Sequence, residues 1–209
     1  MSETRRYRSS AKRATTKQKA SEKLLSAAWT AFSTEGLEAA SIASIVQASG
    51  VSTGSFYNYF GSKERMFDAL AEEFAGRIAH ATAAARALET SPEDVIRASF
   101  RAFFECIIAT DGAAGFLARN HHKVRSSLYA YEATRNMLRD LSADISRVSA
   151  NALAPAEAEL VARTVISLGL EAVLQASDAE ENDSKRTASL VTTLVLDGLN
   201  GLRALNKKT

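Results

Sequence analysis

The chain has 209 residues, 46% of them hydrophobic, with two prolines, a single cysteine and a formal net charge of +2. Such a length buries a sizeable core, and an alanine-rich, proline-poor composition with few aromatic or β-branched runs favours helices. No apolar run of about 18 residues occurs and no apolar stretch follows the basic N-terminus, so neither a membrane span nor a secretory signal is expected; the lone Cys106 allows no intrachain disulfide and fits a reducing cytoplasm.

Residues 1–15 lack apolar periodicity and are expected to form a flexible basic arm. The eight Lys and Arg residues of the first 60 positions, Arg5, Arg6, Arg8, Lys12, Arg13, Lys17, Lys19 and Lys23, face four acids there, so this stretch carries +4 and the rest of the chain −2. A basic arm of this kind is an electrostatic footprint for a polyanion. From Thr16 or Lys17 to Glu35, Leu24, Leu25, Ala28 and Phe32, with Trp29 and Ala31, mark an amphipathic helix that Gly36 ends. Trp29 and Phe32 are its expected buried aromatics.

The next stretch, SIASIVQASGVSTGSFYNYFGSK, spans Ser41 to Lys63. Ser41 is an N-cap type, and Ile42, Ile45 and Val46 lie on one face of a short helix that Gly50 stops by turning left-handed. Ser52 or Thr53 caps a second helix, Thr53 to Phe60, expected to bury Phe56 and Phe60 and leave Thr53, Gly54, Ser55, Tyr57, Asn58 and Tyr59 outward. Two short helices joined by a tight turn, the second with a small, uncharged, hydrogen-bonding face, are suited to a DNA major groove. Ser62 begins a long helix running to about Leu88. Lys63 in its first turn opposes the helix dipole, which an anionic partner such as a phosphate explains.

Thr90, Ser91 and Pro92 open another helix, whose Val95, Ile96, Phe100, Phe103, Phe104, Ile107 and Ile108 cover more than one face and predict burial nearly all round. Asp111 and Gly112 break it. A short helix from Ala113 to His122 and a longer one from about Ser126 to Asn151 follow. Two more, Pro155 to about Ser177 and Ser184 to about Leu205, flank the acidic loop DAEENDS and carry apolar stripes with small residues between. Periodicity alone leaves open whether these last two helices complete the monomer core or pair with their copies in a second subunit.

The run G-V-S-x-G-S-F-Y-x-Y-F-x-S-K-E, together with LLSAAWTAFSTEGLEAAS before it and GSKERMFDAL at its end, resembles the DNA-binding domain of the TetR family of bacterial transcriptional regulators over roughly residues 17–75. Ser41 stands where that family more often has threonine; both supply a hydroxyl cap. The C-terminal half, through FLARNHHKVR and TVISLGLEAVLQ, is also weakly similar to the TetR-type repressors that control unsaturated fatty acid synthesis and sense acyl-CoA. These resemblances imply an all-α protein of about nine helices: the arm at 1–15, a three-helix helix-turn-helix DNA-binding domain at 16–62, and a helical effector-binding and dimerisation domain at 63–209. They imply a homodimer through the last two helices, with Val165, Leu168, Gly169, Val173, Leu194, Val195, Gly198 and Leu202 at the interface.

Thr53, Ser55 and Asn58 are the candidates for base edges, and Ser41, Ser52, Tyr57, Tyr59 and Lys63 for the surrounding contacts, chiefly phosphates. Gly54 would allow close approach, and Arg5, Arg6, Arg8, Lys12 and Arg13 would follow the backbone or minor groove. The second helix has no Arg or Gln, so hydroxyl contacts, water and DNA shape carry more of the specificity. Phe100, Phe103, Phe104, Ile107, Phe116, Asn120, His121 and Tyr129 are the candidate lining of an effector pocket; the effector is unknown, and the resemblance to the fatty-acid-synthesis repressors implies a long-chain acyl group. No cofactor, metal site or catalysis is expected: adjacent His121 and His122 point about 100° apart on a helix, and no HExxH, CxxC or nucleophile motif occurs. The expected function is a cytoplasmic DNA-binding regulator, a repressor released by a small apolar or amphipathic ligand on a palindromic operator. The alternative is a helical adaptor that binds nucleic acid without regulating anything.

Overall fold

The computed structural model describes residues 3–149, 153–176 and 181–205, and the side chains of 15–149, 153–175 and 186–201. Among these there are ten α-helices, one 3-10 turn and no strand. They form two compact units, 1–71 and 72–209. Among the described residues no helix is long and apolar enough to cross a membrane.

The first unit holds α1 (Glu3–Thr34), α2 (Ile42–Ser49), α3 (Thr53–Tyr59) and the first turns of α4 (Lys63–Arg86). The helix α1 begins at Glu3, so the stretch expected as a flexible arm is helical from that residue; the side chains of Arg5, Arg6, Arg8, Lys12 and Arg13 lie outside the described residues. Leu24, Ala28 and Phe32, one turn apart, are fully buried, as are Ile45, Phe56, Met66 and Phe67 of the other helices. The Phe32 and Phe67 rings pack edge to face at 5.5 Å. Trp29 and Phe60, expected in this core, are only half-buried. Gly50 adopts φ 65° and donates its N–H to the Gln47 carbonyl, closing α2 in the left-handed turn expected of it.

The second unit holds the rest of α4 with α5 (Pro92–Ala109), α6 (Ala113–Arg119), α7 (His121–Ser127), a 3-10 turn (Leu128–Ala130), α8 (Glu132–Val148), α9 (Pro155–Ala176) and α10 (Glu181–Leu205). The helix α9 packs on α6, α8 and α10, and α5 packs on α6, α8 and α10. Although the sequence predicts α5 buried nearly all round, Arg97, Arg101, Glu105 and Ile108 form an exposed stripe opposite Ile96, Phe100, Phe104 and Ile107. The charges at spacing four give this helix its wet side.

The region expected as two helices, 113–122 and 126–151, contains three. Buried Asn120 leaves helical geometry and donates from Nδ2 to the Phe116 carbonyl at 2.7 Å, so its side chain takes over the last turn of α6. Tyr131 is extended, and α8 starts after it with no cap of its own. The cap comes from α4: the Glu72 carboxylate accepts from the Glu132 and Ala133 amides at 3.1 and 3.4 Å. Further along the same two helices Asp144, 1% exposed, pairs with Arg86 of α4 and with Arg147.

Because Phe32 is sealed and Trp29 is not, truncating them should have unequal effects. We predict that Phe32→Ala lowers the unfolding free energy in urea by about 3–5 kcal/mol and Trp29→Ala by distinctly less; equal losses would contradict this packing.

Candidate nucleic-acid interface and ligand cavity

No charged residue lies between Glu38 and Lys63, so the polar surface of α2 and α3 is made of hydroxyls and the side-chain amides of Gln47 and Asn58, beside aromatic rings. Ser41 and Ser52 are the N-caps of the two helices; their Oγ atoms accept from the Ser44 amide at 3.0 Å and the Ser55 amide at 3.3 Å. Ser52 and Ser55 hydroxyls are also 3.0 Å apart, which links the cap to the candidate reading face. Thr53, Gly54 and Asn58 are exposed and Ser55 half-exposed. Tyr57 is 53% exposed, its ring set edge-on against buried Phe56 at 5.2 Å. That core contact holds the phenol at the surface. A Cβ at Gly54 would meet nothing within 4 Å, so no contact inside the protein requires glycine there; a closely approaching partner would.

Tyr59 is half-exposed, with the Lys17 ammonium 5.8 Å from its ring centroid. Lys63 is placed differently from a free surface cation. Its Nζ donates to the Ala40 carbonyl at 2.9 Å and the Glu38 carbonyl at 3.2 Å, tying the start of α4 to the loop before α2. An ammonium has three donors, so one remains for an outside acceptor. Nothing in the local spacing announces this tie, which joins residues 23 and 25 positions apart.

In the second unit α4, α5, α8 and α9 enclose a cavity of about 270 Å³. Of the eight residues expected to line a pocket, Phe100 and Phe103 do so. Phe104 and Ile107 border a separate depression beside Ala113 and Val173. Phe116 is core, edge-on to Phe74, and Asn120 is bonded to its carbonyl. His121 lies on α7 with Nδ1 2.9 Å from the Ala118 carbonyl oxygen, and Tyr129 lies under the Arg163 guanidinium, 4.3 Å from the ring centroid. The lining residues not expected from the sequence come from α4 (Ile78, Thr82, Arg86), α8 (Met137, Asp140, Leu141) and α9 (Val165, Ile166, Gly169), helices whose own periodicity does not say which partner they face, and from Ile96 and Ser99 of α5. Among the described residues, no group of three or more His, Cys, Asp or Glu side chains is placed to hold a metal ion.

On α9 and α10, Val165, Gly169, Val173 and Val195 are buried inside the protomer, Leu168 is half-buried, and Leu194 and Gly198 are exposed; the Leu202 side chain lies outside the described residues. Gly169 faces the protomer interior, where a Cβ would stand 3.5 Å from the Phe103 ring, an ordinary van der Waals contact. Among the described residues of α9 and α10, the large apolar groups left in water are Leu160, 65% exposed, Leu190 and Leu194.

Residues 24–70 match the family model described as bacterial regulatory proteins of the tetR family. The chain is 28% identical over 167 residues to the HTH-type transcriptional regulator BetI of Paraburkholderia phytofirmans, covering 77% of this chain and 85% of that one. In fold it is similar to the fatty acid degradation regulator FadR from Bacillus halodurans (TM-score 0.71, 19% identity, 84% of this chain and 94% of that one). It is similar also to a tetR-family transcription regulator from Shewanella sp. PV-4 (TM-score 0.69, 20% identity, 86% and 97%).

Removing the Lys63 ammonium should loosen the first unit even without any ligand. Lys63→Met is expected to cost about 1–2 kcal/mol of unfolding free energy, read by urea denaturation, because two loop carbonyls lose their donor. A variant as stable as the parent would remove this structural role.

Proposed function

We propose, since the chain belongs to the TetR family of bacterial regulatory proteins, that this DNA-binding transcriptional regulator is a cytoplasmic repressor acting as a homodimer on a palindromic operator. A small apolar or amphipathic molecule would release it. The observation that carries the reading is the uncharged, capped face of α3, with Thr53, Gly54 and Asn58 open to a partner and Tyr57 held outward by Phe56. In this assignment Thr53, Ser55 and Asn58 meet base edges, while Ser41, Ser52, Tyr57, Tyr59 and the third donor of Lys63 meet phosphates. The arm residues Arg5, Arg6, Arg8, Lys12 and Arg13 supply sequence-independent attraction.

Leu160, Leu190 and Leu194 support dimerisation, because helices that keep large leucines in water gain from a second copy. Residues 16–62 are assigned to DNA and 63–209 to effector and dimer; the turns 63–71 of α4 belong structurally to the first compact unit. The effector site is the cavity lined by Phe100 and Phe103. A long-chain acyl tail exceeds about 270 Å³ and would have to run out through the mouth, so a compact ligand fits better. Release requires that the ligand bind the conformation unable to hold DNA more tightly than the DNA-bound one.

The experiment is to replace Leu190 and Leu194 together by Glu. Both side chains are exposed in the protomer, so helix content should be unchanged, while sedimentation shifts from a two-chain to a one-chain species. Affinity for a two-half-site duplex then falls on the order of 10²-fold or more, as linked binding is lost. A wild-type protein that sediments as one chain, or a variant with full duplex affinity, would contradict the proposal.

A further inference from the structure

The cavity of the second unit is apolar along most of its wall and strongly polar at one place. Ile78, Ile96, Phe100, Phe103, Met137 and Val165 supply hydrocarbon and aromatic surface. Arg86, in the last turn of α4, lines the same space and is only 20% exposed in its side chain. Its Nη1 donates to one oxygen of Asp144, whose other oxygen accepts from Arg147. Asp144 thereby accepts from two arginines, which gives the cluster a formal charge of +1; Arg147 is 59% exposed and does not line the cavity, so Arg86 is the cation that reaches it. Arginine has five N–H donors, and among the described residues Asp144 is the acceptor that the structure gives Arg86.

The other polar groups of the wall do not meet that need. Thr82 donates its hydroxyl hydrogen to carbonyls of its own helix at 3.0 Å, and Ser99 does the same to the Val95 carbonyl at 2.8 Å. Asp140 and Asn136 also line the cavity but are exposed, so the carboxylate is solvated and its effect screened. Inside, the surplus is of cationic donors in a setting of low polarity, where a charge-assisted bond to a planar anion is strong and geometrically selective. The volume of about 270 Å³, at roughly 30 Å³ for each water-sized group, takes on the order of ten non-hydrogen atoms.

We propose that the ligand of this cavity is a compact monocarboxylate whose hydrocarbon or aromatic body lies against Phe100 and Phe103 and whose carboxylate is held by the Arg86 guanidinium. This rests on the reading of the cavity as the effector site and narrows it to a charge class and a size. A carboxylate there neutralises the Arg86–Asp144–Arg147 cluster, whereas an ammonium adds to its positive charge.

The test is calorimetric titration of the full-length protein with octanoate, with its uncharged isostere octanamide and with octylammonium, repeated with 4-propylbenzoate and its amide so that tail shape does not decide the result. Octanoate is expected to bind about 10- to 100-fold tighter than octanamide, and octylammonium more weakly than either. Arg86→Met, in which Asp144 keeps Arg147, should bind octanoate and octanamide alike. Octanamide or octylammonium binding as tightly as octanoate to the parent protein overturns the carboxylate assignment and leaves the cavity reading standing, as does an Arg86→Met variant that still prefers octanoate. Binding of no probe at millimolar concentration overturns both, without touching the DNA-binding reading.

Discussion

The helix α4 is the constraint on which much of the structure depends. Its first residue, Lys63, is tied by its ammonium to the carbonyls of Glu38 and Ala40, so the loop between α1 and α2 and the start of α4 are set together. At 24 residues it runs about 36 Å. Within the second unit it meets α8 twice: the Glu72 carboxylate caps that helix, and Arg86 pairs with its buried Asp144. Between those two points lies the cavity, with Ile78, Thr82 and Arg86 on its α4 wall. A buried pair such as Arg86 with Asp144 adds little net stability, and with Arg147 also on Asp144 the carboxylate keeps a partner when Arg86 is removed.

The helix-turn-helix was legible because its signals are local. Ser41, Gly50 and Ser52 act within three residues of themselves, and Ile45 and Phe56 are buried by the periodicity of their own helices. Contacts distant in sequence were not legible. Lys63 reads from its position alone as a phosphate ligand; the structure adds two carbonyl partners more than twenty residues earlier, which no spacing rule contains. The break at Asn120 depends on a side chain turning back onto Phe116, and the start of α8 on a carboxylate sixty residues away. A continuous apolar pattern therefore gave too few helices in that region.

Pocket and interface show the same limit. Periodicity finds the apolar stripes of α9 and α10 but does not assign each stripe to the protomer interior or to its surface. Val165, Gly169, Val173 and Val195 turn inward, and among the described residues of these helices the large groups left outside are Leu160, Leu190 and Leu194. Likewise Phe100 and Phe103 line the cavity while Phe104, one position on, faces elsewhere; a helix advances about 100° per residue, so neighbours serve different spaces. The polar corner at Arg86 arises from two helices far apart in sequence, and only the assembled unit shows that Asp144 is shared by two arginines.

The claim tested most directly is that the face of α3 reads sequence in two copies. The measurement is selection of bound fragments from a random duplex library by the purified full-length protein at near-physiological salt, followed by sequencing of the bound pool. The account predicts an enriched inverted repeat with a fixed half-site spacing of about one or more helical turns of DNA. Salt-sensitive binding with no enriched sequence would contradict it and mark the chain as a non-specific binder of nucleic acid.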